Sequence, residues 1–457
     1  MDIVIQGGRV IDPETGTDKI LNIGIQSGKI MEMSIDKLQG KETILAEGYV
    51  VSPGFIDIHM HEDPVCEQNE GTSNSSSCPT FKRMVLMGVT TAVGGNCGYS
   101  RYPLKPYFSQ LEKQGIPMHY AGFAGYITLR EEAGVKDRYA SATTEQKETI
   151  HNLIRQEMGS GAVGLSLGFE YAPGVDTREA IEAARIVSEF PGRLISAHFR
   201  NDGAQAVESI KEMAEIARLS GVPVQISHIG SCAGFPEIMD QALLALDEAR
   251  SEDIDVMADC YPYNCFCTAI GSAVFDEGCF EKWGVDASSL YVTEGIHKGK
   301  RCSPELFEKI RAEEPETMVI GFVMDEDEVI KAIKHPLIMV CSDGSFHLDQ
   351  GHPRGAGTFP RVLGRYVRDE KKISLMEALA KMTIVPARRL NLKDKGRIRI
   401  GCDADLVIFN PDTIIDQADF DHPTEKSTGI STVFLKGIPA VRNGNIVHCK
   451  AGKIIRF

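Results

Sequence analysis

From Val51 onward the chain repeats one pattern: a short apolar run, a turn, an amphipathic stretch of helical length, then the next apolar run. Strands that alternate with helices pair in parallel, because the helix is what carries the chain back to begin the neighbouring strand. Eight such runs end near Ile58, Gly94, Phe123, Leu167, Ala197, Ser227, Asp259 and Ser342. Helices are expected at 79–88, 144–158, 202–219 and 236–250, at 177–189 with Thr177 as N-cap, and at 374–390. Eight strands in this arrangement predict an α/β protein of the TIM-type (β/α)8 barrel class, whose active sites lie at the C-terminal ends of the strands.

The flanks read differently. Residues 2–50 hold short strands at 3–6, 19–25, 29–33 and 43–46 between Gly, Pro and Asp turns, which predicts a small antiparallel unit. Such a unit is too short to enclose a core and needs a partner. Strands at 405–409, 432–435 and 446–447 supply one, so 1–50 and 391–457 are expected to form a small β-sandwich beside a barrel spanning 51–390. The segment 273–336 is too long for one crossover and reads as an insertion lidding the site.

A chain of 457 residues suits a large barrel plus an accessory domain. A net charge of −15 without any Lys/Arg cluster argues against a nucleic-acid footprint or an anionic membrane surface. No apolar run reaches the ~18 residues of a span, and no basic segment followed by an apolar one opens the chain, so a cytoplasmic protein is expected. The twelve cysteines are scattered, which predicts reduced, mostly buried thiols. Cys260, Cys265 and Cys267 lack the paired C-x-x-C unit of a structural zinc site.

Chemistry concentrates at the strand ends. His59 and His61 stand at i, i+2 in Gly54-Phe55-Ile56-Asp57-Ile58-His59-Met60-His61, which on a strand sends both imidazoles to one side about 7 Å apart at Cα. Imidazole is the commonest biological metal ligand. Cys97, His198, His228 and Asp343 follow at later strand ends. Taken singly, a His-x-His is more often at the surface or hydrogen-bonded in the core than a ligand, Cys97 a buried thiol and Asp343-Gly344 a turn. Six such residues on one rim point instead to a metal site.

These residues sit in motifs that resemble the amidohydrolase superfamily and, within it, the N-acyl-D-amino-acid deacylases. The motifs are Gly54 to His61, Gly94-Gly95-Asn96-Cys97-Gly98, Gly164 to Tyr171, Ile226-Ser227-His228, Tyr261-Pro262-Tyr263, Ser342-Asp343-Gly344, His352-Pro353-Arg354, Gly357 to Arg361 and Gly401 to Leu406. The resemblance implies that Cys97, His198 and His228 hold a tight Zn²⁺, with His59 and His61 at a second, weaker or empty position. It implies that Asp343 takes a proton from water and returns it to the leaving nitrogen, and that Arg354, Tyr261 and Tyr171 meet the substrate. The fourth strand has no lysine of the kind that bridges two metals in many relatives, and Cys97 stands as its substitute. Where many deacylases have a lysine two residues after the strand-six histidine this chain has Gly230, and where they have a serine six residues after the first tyrosine of Tyr-Pro-Tyr it has Cys267. The reaction class is therefore carried further than the substrate.

The expected partner is a small-molecule amide, and homo-oligomerisation is left open. Two readings compete with hydrolysis of an N-acyl-D-amino acid. One is another amidohydrolase reaction, on a cyclic amide or similar C–N bond, at the same metal. The other is a catalytically silent metal-binding scaffold, which the presence of Asp343 beside all five ligand candidates disfavours.

Overall fold

The computed structural model describes residues 1–63, 79–347 and 349–457. Nine short strands pair in parallel in two sheets, one ordered Phe55–Asp57, Val89–Gly94, His119–Gly122 and the other Ala124–Gly125, Gly164–Gly168, Leu194–His198, Val224–Ile226, Val256–Cys260, Ile338–Val340. Within each sheet every parallel strand pairs with the one before it. Only Phe123 separates His119–Gly122, which pairs with the second strand, from Ala124–Gly125, which pairs with the fourth. At the other seam Met60 and Gly344 form a parallel bridge, the Asp343 N–H donates to the His59 carbonyl at 2.8 Å and the His61 N–H to the Gly344 carbonyl at 3.0 Å. The first and last strands thus meet beside the predicted site.

Both faces of these strands are buried, as parallel sheets covered by helices require. Leu165, Leu167, Ile195, Ala197, Val224 and Ile226 are each no more than 1% exposed. Each buried leucine or isoleucine contributes about 1.5–3 kcal/mol of transfer free energy. The covering helices start where capping chemistry allows. Thr143 and Gln146 form a reciprocal capping box for Thr144–Gly159, as do Ser374 and Glu377 for Leu375–Met382.

Several expectations are corrected in detail. The helix Thr177–Ser188 is capped by Asp176, whose carboxylate accepts from the Glu179 N–H at 2.7 Å, so Thr177 is its first residue. The expected helix 374–390 is broken at Thr383 into Leu375–Met382 and Ile384–Arg389, because Pro386 has no N–H to continue a single helix. A three-stranded antiparallel sheet, Phe266–Ala269, Met318–Gly321 and Leu290–Val292, draws two strands from the segment expected as an insertion and one from ahead of residue 273. The helix Glu326–Lys334 inside the expected insertion packs its buried Val329, Ile330 and Ile333 toward the parallel strands.

Both chain ends enter one nine-stranded sheet, in which Val50–Pro53 lies between Ile3–Asp12 and Leu406–Phe409. The N-terminal part is mixed rather than antiparallel. Ile3–Asp12 pairs antiparallel with Thr17–Gln26 but parallel with Glu42–Leu45 and Val50–Pro53, since residues 35–41 carry the chain back across the sheet. Ile3, Ile5, Val10, Ile23, Ile25, Leu406, Ile408 and Phe434 form a core of their own there. Among the described residues no helix is long and apolar enough to cross a membrane.

Candidate metal centre and active site

His198 is the last residue of its strand, and His228, Cys97 and Asp343 follow theirs within three residues. Cys97, His228 and Asp343 all adopt left-handed backbone, at φ 55°, 33° and 49°. A side chain there costs of order 1–3 kcal/mol, and such strain gathers at sites where neighbours hold it in place. Here the holds are explicit. The His228 N–H donates to Asp259 Oδ1 at 2.7 Å, its Nδ1 lies 2.9 Å from Ser231 Oγ, and Asp343 is pinned by the His59 carbonyl. Gly168 lacks a Cβ where one would run into the Cys97 carbonyl, so the Cys97 loop can close onto the fourth strand.

Cys97 Sγ lies 3.4 Å from both His59 Nε2 and His228 Nε2. The ligand atoms of Cys97, His198 and His228 fall within 4.8 Å of one another, and so do those of His59, His61 and Cys97 and those of His59, His228 and Asp343. The sulfur thus belongs to two overlapping donor sets. Burial alone raises a thiol pKa, but the His59 and His228 rings outweigh it and hold Cys97 well below the usual thiol range. Burial likewise opposes charge on His61, yet its bond to Asp343 and the nearby sulfur push it up to about 9. For Asp343 burial is again overridden, by Arg354 and His59, and the carboxyl stays well below its ordinary range.

The donor set fits zinc. A thiolate and two imidazoles make a tetrahedral site with one position left for water or substrate. His198 offers Nε2 to Glu170 Oε2 at 2.8 Å and keeps a buried Nδ1 without a protein partner among the described residues. A buried lone pair of that kind is costly unless something binds it.

Asp343 joins the metal candidates to the substrate candidates. Its Oδ1 is 3.0 Å from His61 Nε2 and 3.4 Å from His59 Nε2, while Oδ2 is 2.9 Å from Arg354 Nη2. The Arg354 guanidinium stacks over the Tyr261 ring at 4.6 Å and is 4% exposed. Its Nε and Nη1, and the Tyr261 hydroxyl, are buried without hydrogen-bond partners among the described residues. Donors left over in this way form a receptacle for an anion. Tyr171 stands edge-on to His198 at 4.7 Å, with its hydroxyl 3.3 Å from Thr268 Oγ1. A cavity of about 420 Å³ opens over His61, Cys97, Tyr171, Cys267, Asp343 and Arg354.

All nine residues singled out from the sequence therefore lie around one centre. Sequence reasoning missed their supports. Asp259, seen only as a strand end, lies 3.4 Å from His59 Nδ1 and also holds the His228 backbone. Glu170, inside a quoted motif but given no role, holds His198. Gly230 is not an empty seat for a lysine, because a Cβ there would stand 2.6 Å from Cys260 Sγ. Cys267, by contrast, lines the cavity.

Residues 331–441 match the family described as Amidohydrolase family. A D-aminoacylase of Alcaligenes xylosoxydans xylosoxydans is 31% identical over 99% of this chain and 97% of its own length. An N-acyl-D-glutamate deacylase of the same organism is 29% identical over 100% of this chain and 96% of its own. The crystal structure of N-acyl-D-glutamate deacylase from Bordetella bronchiseptica, complexed with zinc and a phosphonate inhibitor that mimics the tetrahedral intermediate, superposes with a TM-score of 0.88 at 28% identity over the whole of both chains. On sequence likeness that spans nearly every residue, the chain belongs to the D-aminoacylase family of the amidohydrolase superfamily.

Proposed function

We propose that this protein is a zinc-dependent amide hydrolase that removes the acyl group from an N-acyl-D-amino acid. The observation that carries the reading is the buried Cys97, His198 and His228 donor set with Asp343 beside it and a guanidinium with unused donors behind Asp343. In this reading Cys97, His198 and His228 hold the tight zinc, and His59 and His61, sharing Cys97, form the weaker second position. Zinc, when bound, supplies the Lewis acidity that acidifies water and polarises the amide carbonyl.

The rest is the work of this chain's residues. Arg354 and Tyr261 take the substrate carboxylate, the guanidinium presenting its fork of donors to a planar acceptor. Tyr171 borders the reacting group through its packing on His198. Asp343 accepts the proton of the attacking water and delivers it to the leaving nitrogen, so the amine departs neutral. A carboxylate on the substrate also competes for the Arg354 Nη2 that otherwise pairs with Asp343.

We read the consecutive parallel strands, whose ends meet at His59 and Gly344, as a closed (β/α)8 barrel over 51–390. The terminal sheet is read as a small β domain made of 1–50 and 391–457. The ten free thiols among the described residues support a reducing, cytoplasmic setting.

The test is release of primary amine from matched N-acetyl-D- and N-acetyl-L-amino acids and from cyclic amides, before and after chelation. Chelator-sensitive release from the D-series supports the reading. Turnover of cyclic amides alone replaces it with the cyclic-amide reading.

A further inference from the structure

The inserted segment reaches into the site at one point. The helix Cys279–Trp283 brings Lys282 Nζ to 3.0 Å from Glu170 Oε1, while Glu170 Oε2 accepts the His198 Nε2–H at 2.8 Å. Lys282 also pairs with Asp202, and Asp202 Oδ2 accepts the Trp283 indole N–H at 2.7 Å. Trp283 in turn packs on Phe266 and Phe275, at ring separations of 5.3 and 5.8 Å, within the insertion's own apolar core. The relay is thus built on a rigid support. Glu170, Asp202 and His198 are each no more than 8% exposed, so water does not readily replace the Glu170–His198 link.

An imidazole ligates with one nitrogen, and a carboxylate on the other nitrogen decides which one is free and raises its donor strength. With Nε2 engaged, the unpartnered Nδ1 is the nitrogen of His198 left for a metal. We propose that Glu170 and Lys282 are positioning residues of the metal centre, Glu170 setting the ligating nitrogen and orientation of His198 and Lys282 holding Glu170 in place from the insertion. The insertion then has a second role beside covering the cavity, since its docking is coupled to metal affinity. This inference rests on His198 being a zinc ligand.

Zinc affinity, measured by competition against a chromophoric chelator, tests it. Glu170→Ala is expected to bind zinc about 10- to 100-fold more weakly, the usual effect of removing such a support. Lys282→Met is expected to weaken binding in the same direction by a smaller factor. Glu170→Gln, whose amide oxygen can still accept from Nε2, should recover part of the loss. A mere clamp on the insertion would lower the unfolding midpoint of the zinc-free variants and leave their zinc affinity unchanged, and that result overturns the proposal. Should Glu170→Ala fail to fold, Lys282→Met decides the matter, its side chain being partly exposed. A wild-type protein that takes up no zinc overturns the proposed function and this inference together. Zinc bound equally by wild type and variants overturns this inference alone.

Discussion

Two of the buried charge clusters among the described residues are finished differently. Beneath the terminal sheet, Lys395 bridges Asp403 and Asp405, Asp405 Oδ1 accepts from the Lys436 N–H at 2.7 Å and lies 3.4 Å from His119 Nε2, and His119 Nδ1 accepts from the Lys453 N–H at 3.1 Å. At the strand-end rim, His198 Nδ1, Tyr261 Oη and two nitrogens of Arg354 have no hydrogen-bond partner among the described residues. Burial of charge alone does not mark a functional site. The one atom left over in the first cluster, Asp403 Oδ1, meets Lys29 Nζ at 2.8 Å, whereas those rim atoms have no charged partner among the described residues, which a folded chain tolerates where a ligand supplies one.

Variants on each side sharpen that contrast. Asp343→Asn should keep its zinc and lose turnover by about a thousandfold, since general acid–base roles contribute about 10² to 10⁴ and this carboxylate serves twice. Single-turnover rates on zinc-loaded protein measure it, and near-normal turnover would place the proton shuttle elsewhere. Asp405→Asn should do the converse, costing about 3–5 kcal/mol of stability by leaving Lys395 short of a partner, with the rate per folded molecule unchanged.

The pH dependence of that loss has a definite sign. Burial would raise the Asp405 pKa, but His119 and Lys395 override it and depress the carboxyl below its ordinary value. A depressed folded pKa gives stability that is present above the unfolded value near 4 and is lost as pH falls through the folded one. Denaturant midpoints of wild type and Asp405→Asn should therefore converge in acid, and a gap constant from pH 7 to pH 2 would contradict the assignment. The smallest effect is expected for Arg354→Lys, with kcat/KM falling by about 10- to 100-fold as a charge-assisted contact worth about 1.5–3 kcal/mol is lost. An unaltered kcat/KM would move the carboxylate subsite away from Arg354.

The rim was legible because chemical residues fall at strand ends, and strand ends announce themselves as the close of an apolar run. His198 and Asp343 needed no more than that. Glu170 and Lys282 carry no such mark, and Asp259, though at a strand end, acts through His59 and His228 on other elements, a meeting that no spacing along the chain encodes. The fold was readable in its alternation and blurred at its boundaries. Asp176 and Thr177 are both good caps and only the three-dimensional path chooses between them. The strand Ile438–Arg442 was missed because it contains Pro439, which ordinarily argues against a strand. That Gly230 lies against Cys260 Sγ was hidden for a similar reason, since that contact is tertiary information.

In the proposed centre, zinc takes up the free Nδ1 of His198 together with His228 and Cys97, and Cys97 is the ligand shared between the two metal positions. Metal content measured side by side on purified wild type and Cys97→Ala tests it most directly, because losing the thiolate leaves too few strong ligands to hold the ion. Tightly held zinc is expected in the wild type and almost none in Cys97→Ala, with both proteins folded. A Cys97→Ala protein that retains full zinc and full activity would contradict it.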